Sequence, residues 1–345
     1  MSTPRYPEHE GSPMRGGTPA GAAVDRPSWL VEARDMTIAY PAHRPAFWLP
    51  KPAPVLAVSN VSFGVAPGET LGIVGESGSG KSTIGRAVLG RVPLRGGQVL
   101  FRGQRLAGLS NEALRRLRAQ MQPVLQDPYA SLNPRMRVGD IVAEPMVVHG
   151  TARGQALRER VAELLGLVGL SPDDASRLPG SFSGGQRQRI GIARALAVRP
   201  SFIVADEPVS ALDVSVRAQI VNLFAEIQRG LGVSFLFISH DLAVVRHLSH
   251  QVAIVHAGRI VESGRRDEIY RDARHPYTRA LLAAVPVPDP GAPRLPIARG
   301  EPEAAAHAGC RYAARCPEAR QRCREEAPVW VGVSATHQVA CWEQS

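Results

Sequence analysis

Eight residues constrain this chain more than any others: Gly75-Glu76-Ser77-Gly78-Ser79-Gly80-Lys81-Ser82 spells Gly-x4-Gly-Lys-Ser. The short apolar run Thr70–Val74 precedes it, and the pattern of Lys81–Val92 predicts a helix after it. Glycines let backbone N–H groups turn inward around a polyphosphate, and the helix N-terminus adds its positive dipole end. Lys81 supplies a point charge for the β- and γ-phosphates, and Ser82 offers a hydroxyl to Mg²⁺. Gly75, Ser77, Gly78, Gly80, Lys81, Ser82 and Thr83 are therefore the candidate nucleotide-binding residues of this loop, with a nucleoside triphosphate and Mg²⁺ as ligands.

A second signal follows in the chain. Phe202–Ala205 reads as a buried strand ending in two adjacent acids, Asp206 and Glu207. Side chains alternate along a strand, so the two carboxylates leave the sheet edge in different directions. Asp206 can hold Mg²⁺ through water, while Glu207 orients or deprotonates an attacking water. The pair favours a nucleotide hydrolase over a passive binder, and no acceptor-binding motif supports transfer to a second substrate. Ser183-Gly184-Gly185-Gln186, ahead of a helix carrying Arg187, Arg189 and Arg194, forms another anion cradle with Ser183 as its N-cap. A chain that already has one triphosphate cradle needs a second only for a second molecule.

From Glu69 the chain alternates strands and helices, the pattern of a parallel sheet with crossover helices. Val233–Ile238 reads as another buried strand, and Val216, Ile220, Leu223, Phe224 and Ile227 mark one helix stripe between the two. Ala156–Leu170 also reads as a helix. Val31–Tyr40, Val55–Val65 and Gln98–Arg102 predict a small antiparallel sheet, its first two strands separated by the Pro-rich loop Pro41–Pro54. Residues 1–28, with five Pro and four Gly, read as a disordered tail. After Val285, closely spaced prolines make a stiff linker to a last segment holding all four cysteines.

Taken in order and spacing, Lys81, Ser183–Gln186 and Asp206-Glu207 resemble the nucleotide-binding domain of an ABC transporter over residues 30–285. Gln126 stands where that family has its Q-loop glutamine, Ser210–Asp213 matches the D-loop, and Ser239-His240-Asp241 the switch histidine. Tyr40 is the choice for the aromatic that stacks on adenine, with Phe47 and Trp48 as substitutes. The resemblance implies an α/β fold: a P-loop NTPase (RecA-like) core with an antiparallel β subdomain and a helical subdomain. Residues 29–285 would form the nucleotide-binding domain, and residues 286–345 a small Cys-containing C-terminal extension. It also implies that Glu207, His240 and Gln126 act in catalysis and that Ser82, Gln126 and Asp206 hold Mg²⁺. Ser183, Gly184, Gly185, Gln186 and Asp213 would close over ATP held by a partner's Lys81, in a head-to-tail pair.

The stretches Gln126–Arg135 and Asp206–Ser215, and His275-Pro276-Tyr277-Thr278 opening the extension, are similar to the second ATP-binding subunit of dipeptide/oligopeptide importers. That likeness implies a second ATP-binding subunit, two transmembrane permease subunits and, indirectly, an extracytoplasmic peptide-binding protein. It places the chain peripherally on the cytoplasmic face of the inner membrane. No apolar run reaches the roughly 18 residues that span a bilayer, and no signal peptide pattern opens the chain. Forty-one Lys+Arg against 31 Asp+Glu give +10, which suits ATP and an anionic membrane surface. The charge also allows the alternative of a soluble ABC-type ATPase acting on nucleic acid or ribosomes. Such proteins commonly carry two of these domains in one chain, and no nucleic acid partner is expected here. Cys310, Cys316, Cys323 and Cys341 are spaced unlike a zinc ribbon, yet four thiolates suit an S₄ site. The importer extension resembles this spacing and can hold a [4Fe–4S] cluster; zinc and unliganded thiols are the alternatives.

Overall fold

A computed structural model describes residues 29–42, 52–127, 129–285 and 309–344. The N-terminal tail, Phe47, Trp48 and the proline linker lie outside the described residues.

Strand β1 (Val31–Tyr40) pairs antiparallel with β2 (Val55–Val65), as its alternating buried and exposed residues require. Next come β3 (Thr70–Val74) and helix α1 (Lys81–Val88), then β4 (Gly96–Phe101) and β5 (Gln104–Arg105). The first sheet has the order β2-β1-β4-β5. Helix α1 stops four residues short of the predicted Val92. Gly90, at φ +62°, turns left-handed, and its N–H bonds to Ala87 O while Arg91 N–H bonds to Arg86 O. Those two bonds cap the free carbonyls and end the helix.

Beyond α2 (Asn111–Gln120) and β6 (Met121–Val124), three helices form a separate layer: α3 (Val138–His149), α4 (Gly154–Leu167) and α5 (Gly184–Leu196). Helix α4 covers most of the stretch predicted as Ala156–Leu170, starting two residues earlier and ending at Leu167, before the chain turns through Gly169 at φ +73°. The chain then runs through β7 (Phe202–Asp206), α6 (Val214–Leu231), β8 (Ser234–Ser239), α7 (Leu242–Leu248), β9 (Gln251–His256) and β10 (Arg259–Arg265). Helices α8 (Arg266–Arg271), α9 (Pro276–Ala283) and α10 (Gln321–Glu325) follow, with two-residue strands β11 (Val331–Gly332) and β12 (Gln338–Val339).

The second sheet has the order β11-β12-β10-β9-β3-β8-β7-β6. Its five members from β9 to β6 are parallel, and β3 and β8 are buried along their whole length. Continuous apolar strands need cover on both faces. One face carries α1 and the antiparallel sheet, including Ile73, Ile84, Met36 and Leu236. The other carries α6, α7 and the three-helix layer, including Phe224, Phe237, Leu164 and Ile190. Strands β3, β8 and β7 lie side by side and end together: Val74 pairs with Ser239, and Asp206 with Ile238. Ligands of open parallel sheets bind outside such carboxyl ends.

Candidate ATP site

The glycine-rich loop leaves β3 and enters α1 at Lys81. Gly75 has no room for a side chain, since a Cβ there would stand 2.1 Å from Val255 O. Gly80 has φ +100°, and its Cβ would meet Ala57 O of β2 at 2.6 Å. Both positions need glycine for close backbone approach, and Gly80 also for its left-handed turn. Ser77 and Gly78 are exposed at the loop tip, and Thr83 sits half-buried in the first turn of α1.

Lys81 is buried, and its Nζ donates to Gly75 O and Glu76 O, both at 2.8 Å. Burial pulls its pKa down, while the neighbouring Glu207, Asp206 and Glu76 carboxylates act in the other direction. Ser82 Oγ donates to Asp206 Oδ1 at 2.9 Å, joining the start of α1 to the end of β7. Burial raises the Asp206 pKa, partly opposed by that bond. A hydroxyl and a carboxylate side by side are hard oxygen donors of the kind Mg²⁺ takes. Because Mg²⁺ uses one or two carboxylates plus phosphates and water, Ser82 and Asp206 fit it without further acids.

Glu207 is the chemical centre of the sheet edge. Its Oε1 lies 3.9 Å from Lys81 Nζ. Its Oε2 is 3.1 Å from His240 Nδ1 and 3.4 Å from Gln126 Nε2, the last at the long limit of a hydrogen bond. Glu207 sits at φ +46°, a backbone region that side chains other than glycine rarely adopt. The conformation is held by Glu207 N–H to Ile238 O at 2.9 Å and by Ser210 Oγ donating to Glu207 O at 3.0 Å. His240 is exposed on the loop after β8, where Asp241 caps α7 through bonds from Ala243 N and Val244 N. The structure thus brings Lys81, Ser82, Asp206, Glu207, His240 and Gln126 together.

Other predicted residues lie apart. Ser183 caps α5 reciprocally with Gln186: its Oγ accepts from Gln186 N at 3.3 Å, and its N–H donates to Gln186 Oε1 at 3.0 Å. Both are exposed; Gly184 faces the Tyr129 and Leu212 side chains, and Gly185 is pressed against Val216 of α6. Asp213 is exposed at the start of α6, with no capping bond from its side chain. Tyr40 is partly exposed at the end of β1 opposite Val55. Two residues further along, β2 reaches Ala57, whose carbonyl abuts Gly80, so Tyr40 and the loop share one end of the antiparallel sheet.

Sequence reasoning missed how the C-terminal segment meets the loop. Strand β12 pairs antiparallel with β10, so the cysteine-bearing segment extends the central sheet. Arg315 forms a two-pronged ion pair with the Glu76 carboxylate at 2.8 and 2.9 Å. That pairing lowers the Glu76 pKa and raises that of Arg315. Tyr277 Oη accepts from Glu76 N–H at 2.9 Å, and its ring packs at a tilt against His256 and Tyr312. The one available signal was His275–Thr278, where His275 Nδ1 caps α9 by accepting from Tyr277 N at 3.0 Å.

All four cysteines are thiols, Cys323 and Cys341 buried and Cys310 and Cys316 half-buried. Burial raises the pKa of Cys310 and Cys341 and lifts Cys316 to about 11, with smaller contributions from one another's charge. Among the described residues, no group of three or more His, Cys, Asp or Glu side chains is arranged to hold a metal ion. The iron–sulfur and zinc expectations therefore gain no support from this geometry.

Fold and site together define a nucleotide-binding cassette. Residues 58–210 match the family described as ABC transporter, and residues 261–323 the one described as oligopeptide/dipeptide transporter, C-terminal region. A probable peptide ABC transporter ATP-binding protein of Sinorhizobium fredii is 48% identical over 316 residues, covering 90% of this chain and 89% of that one. The oligopeptide transport ATP-binding protein OppF of Salmonella typhimurium is 44% identical, covering 93% of this chain and 98% of that one. A glutathione import ATP-binding protein of Salmonella paratyphi A is 57% identical over 68% of this chain, which spans only 38% of that longer protein. Among solved structures, the ATP-binding cassette MJ0796, dimeric in a post-hydrolysis state with ADP and Pi, is 27% identical. It superposes with a TM-score of 0.61 over 68% of this chain and 98% of that one. The chain belongs to the ABC transporter ATP-binding proteins, in their oligopeptide/dipeptide branch, and is an ABC-type ATPase that takes ATP and Mg²⁺.

Proposed function

We propose that this chain powers a membrane importer of peptides by binding and hydrolysing ATP. The observation that carries the reading is the contact set of Glu207, just after β7, with Lys81 at the start of α1, His240 after β8 and Gln126 after β6. Lys81 neutralises the terminal phosphates, and Glu207 holds the attacking water and takes its proton. His240 and Gln126, both on Glu207 Oε2, orient that carboxylate and sense the γ-phosphate. When Mg²⁺ is bound through Ser82 and Asp206, it neutralises charge on the phosphate oxygens.

The cap at Ser183–Gln186, whose Ser183 and Gln186 are exposed and make no contact with Glu207, supports its use by a second molecule. In this reading it closes over ATP held by a second ATP-binding subunit, with Asp213 and Tyr40 completing the nucleotide's surroundings. Binding then favours the closed pair and hydrolysis releases it. Two permease subunits carry the cargo, an extracytoplasmic binding protein delivers it, and this subunit lies peripherally on the cytoplasmic face of the membrane. Among the described residues no helix is long and apolar enough to cross a membrane, in keeping with permeases that are separate chains. The names of the relatives support peptides, glutathione included, over a nucleic-acid role.

The four thiols remain a proposed cluster-binding segment on the strength of the importer resemblance alone. Anaerobic purification with iron and sulfide analysis, repeated on Cys310→Ser/Cys316→Ser, tests that part. Equal colour and metal content in the variant would remove these residues as ligands. For the main reading, Lys81→Ala should abolish ATP binding and turnover, and the wild-type chain should co-purify from membranes with two polytopic subunits. Full turnover in Lys81→Ala would refute the site, and absence of the membrane subunits would refute the importer.

A further inference from the structure

Glu76 has no part in the chemistry above, yet its N–H, its carbonyl and its carboxylate are all held. Consider the peptide plane between Gly75 and Glu76. Its carbonyl, Gly75 O, accepts from Lys81 Nζ at 2.8 Å. Its N–H, on Glu76, donates to Tyr277 Oη at 2.9 Å. In a trans peptide these two groups point in opposite directions, so Lys81 and Tyr277 grip one rigid plane from opposite sides. The next plane is fixed through Glu76 O, which takes the second Lys81 bond at 2.8 Å. The Glu76 side chain is tied to the two-pronged Arg315 guanidinium, itself only 14% exposed.

The supports behind these groups are stiff. Tyr277 and Tyr312 are each 1% exposed, with ring centroids 5.3 Å apart, and His256 lies 4.4 Å from Tyr277. Arg311, in the same segment as Arg315, donates to Ala257 O, one residue before the Gly258 that touches Ala57 beside Gly80. Residues 311–315 therefore run along the outer side of the phosphate loop. A forked, partly shielded Arg–carboxylate pair of this kind is stronger and more directional than an ordinary surface pair.

We propose that Tyr277 and Arg315 are positioning residues for the ATP phosphates: by holding Glu76 they fix the loop planes that aim Lys81. The proposal rests on the reading of Gly75–Ser82 as the phosphate cradle and adds that its shape is set from the C-terminal side. Neither residue touches the nucleotide. Both act by removing backbone freedom that binding would otherwise have to remove, and ordering one residue's backbone is worth about five- to thirty-fold in affinity.

The test compares wild type, Tyr277→Phe, Arg315→Ala, Arg315→Lys and Glu76→Gln in the assembled transporter, reading KM for ATP, kcat and thermal melting. Tyr277→Phe keeps the ring packing and deletes only the acceptor, so it guards against simple unfolding. Tyr277→Phe and Arg315→Ala should raise KM about five- to thirty-fold with kcat within about two-fold. Arg315→Lys, which keeps the charge without the fork, should recover part of the loss. Combining Glu76→Gln with Arg315→Ala should add little to Arg315→Ala alone, because the partner is already gone. Unchanged KM in Tyr277→Phe and Arg315→Ala with normal melting would overturn the proposal, as would a fall in kcat alone or fully additive effects. Lys81→Ala separates the two levels. If it loses ATP while the clamp variants do not, only the clamp fails; if it retains ATP, the cradle reading fails and the clamp with it.

Discussion

Exchanging one oxygen of Glu207 for an amide nitrogen isolates the chemistry of the site from its architecture. The backbone of Glu207 is pinned at φ +46° by its N–H to Ile238 O and by the Ser210 hydroxyl on its carbonyl, and Glu207→Gln leaves both bonds intact. The side chain loses its charge 3.9 Å from Lys81. At an effective dielectric near 20 that is about 4 kcal/mol of gross attraction, most of which the cost of desolvating the two ions offsets. Lys81 also keeps both loop carbonyls. Net stability should therefore change by no more than about 1 kcal/mol, roughly 2–4 °C in melting temperature for a domain of this size. Catalysis should change far more, because an amide cannot accept the proton of the attacking water. A positioned general base is worth about 10²- to 10⁴-fold, so turnover should fall below about 1% of wild type. Phosphate release, equilibrium ATP binding and a melting curve on the same preparation separate the effects. Turnover within ten-fold of wild type, with ATP bound normally, would show that Glu207 is not the base. Loss of ATP binding as well would mean that the residue serves the cradle rather than the water.

Three further outcomes follow from packing and ionisation. His275 must be neutral for its Nδ1 to accept from Tyr277 N, and burial, helped by His256 and Arg279, lowers its pKa to about 3. The folded state thus binds fewer protons than the unfolded one, so this stability is present above pH 6.5 and is lost as pH falls toward 3. The loss should approach about 1.4 kcal/mol per pH unit, and His275→Asn, which can still cap, should flatten the melting-temperature profile; an unchanged slope would clear His275. His337→Ala strands the Glu262 carboxylate, which is fully buried and 2.7 Å from His337 Nε2, leaving it only the Arg274 and His275 N–H groups. A cost of about 3 kcal/mol, seen as a fall of about 6–12 °C in melting temperature, is expected, and a fall under 2 °C would refute it. Gly185→Ala would place a Cβ 2.2 Å from Val216 Cγ1, so it should cost about 1–3 kcal/mol, recovered in Gly185→Ala/Val216→Ala; a neutral single variant would refute the close packing of α5 on α6.

What the sequence discloses about this chain is what lies close together along it. The phosphate loop, the acids after β7 and the cap of α5 are each contiguous, so their chemistry can be read without knowing where the chain goes next. The ends of three strands were legible for the same reason, whereas β4 starts two residues before the expected Gln98 and β8 is shifted by one from Val233–Ile238. The runs Val31–Tyr40, Val55–Val65 and Thr70–Val74 coincide with strands because their apolar patterns are continuous and bounded by turn residues. Helix ends were less legible: α1 ends at a left-handed glycine whose apolar neighbours continue the helical pattern past it. The attachment of the last segment left almost no mark. Its strand β12 is two residues long and pairs with a strand some 75 positions earlier, and Arg315 meets Glu76 across 239 residues. Neither the period of a two-residue strand nor the partner of a lone arginine can be read from local pattern. That same distance explains why the contact matters. A loop of glycines has little stiffness of its own, and its flanking strand and helix fix only its two ends. The shape between has to come from groups that the fold brings to it: Tyr277 and Arg315 at Glu76, and the Gly258 N–H at Ser79 O. A reading confined to the motif finds the residues that touch the phosphates and misses those that hold them in place.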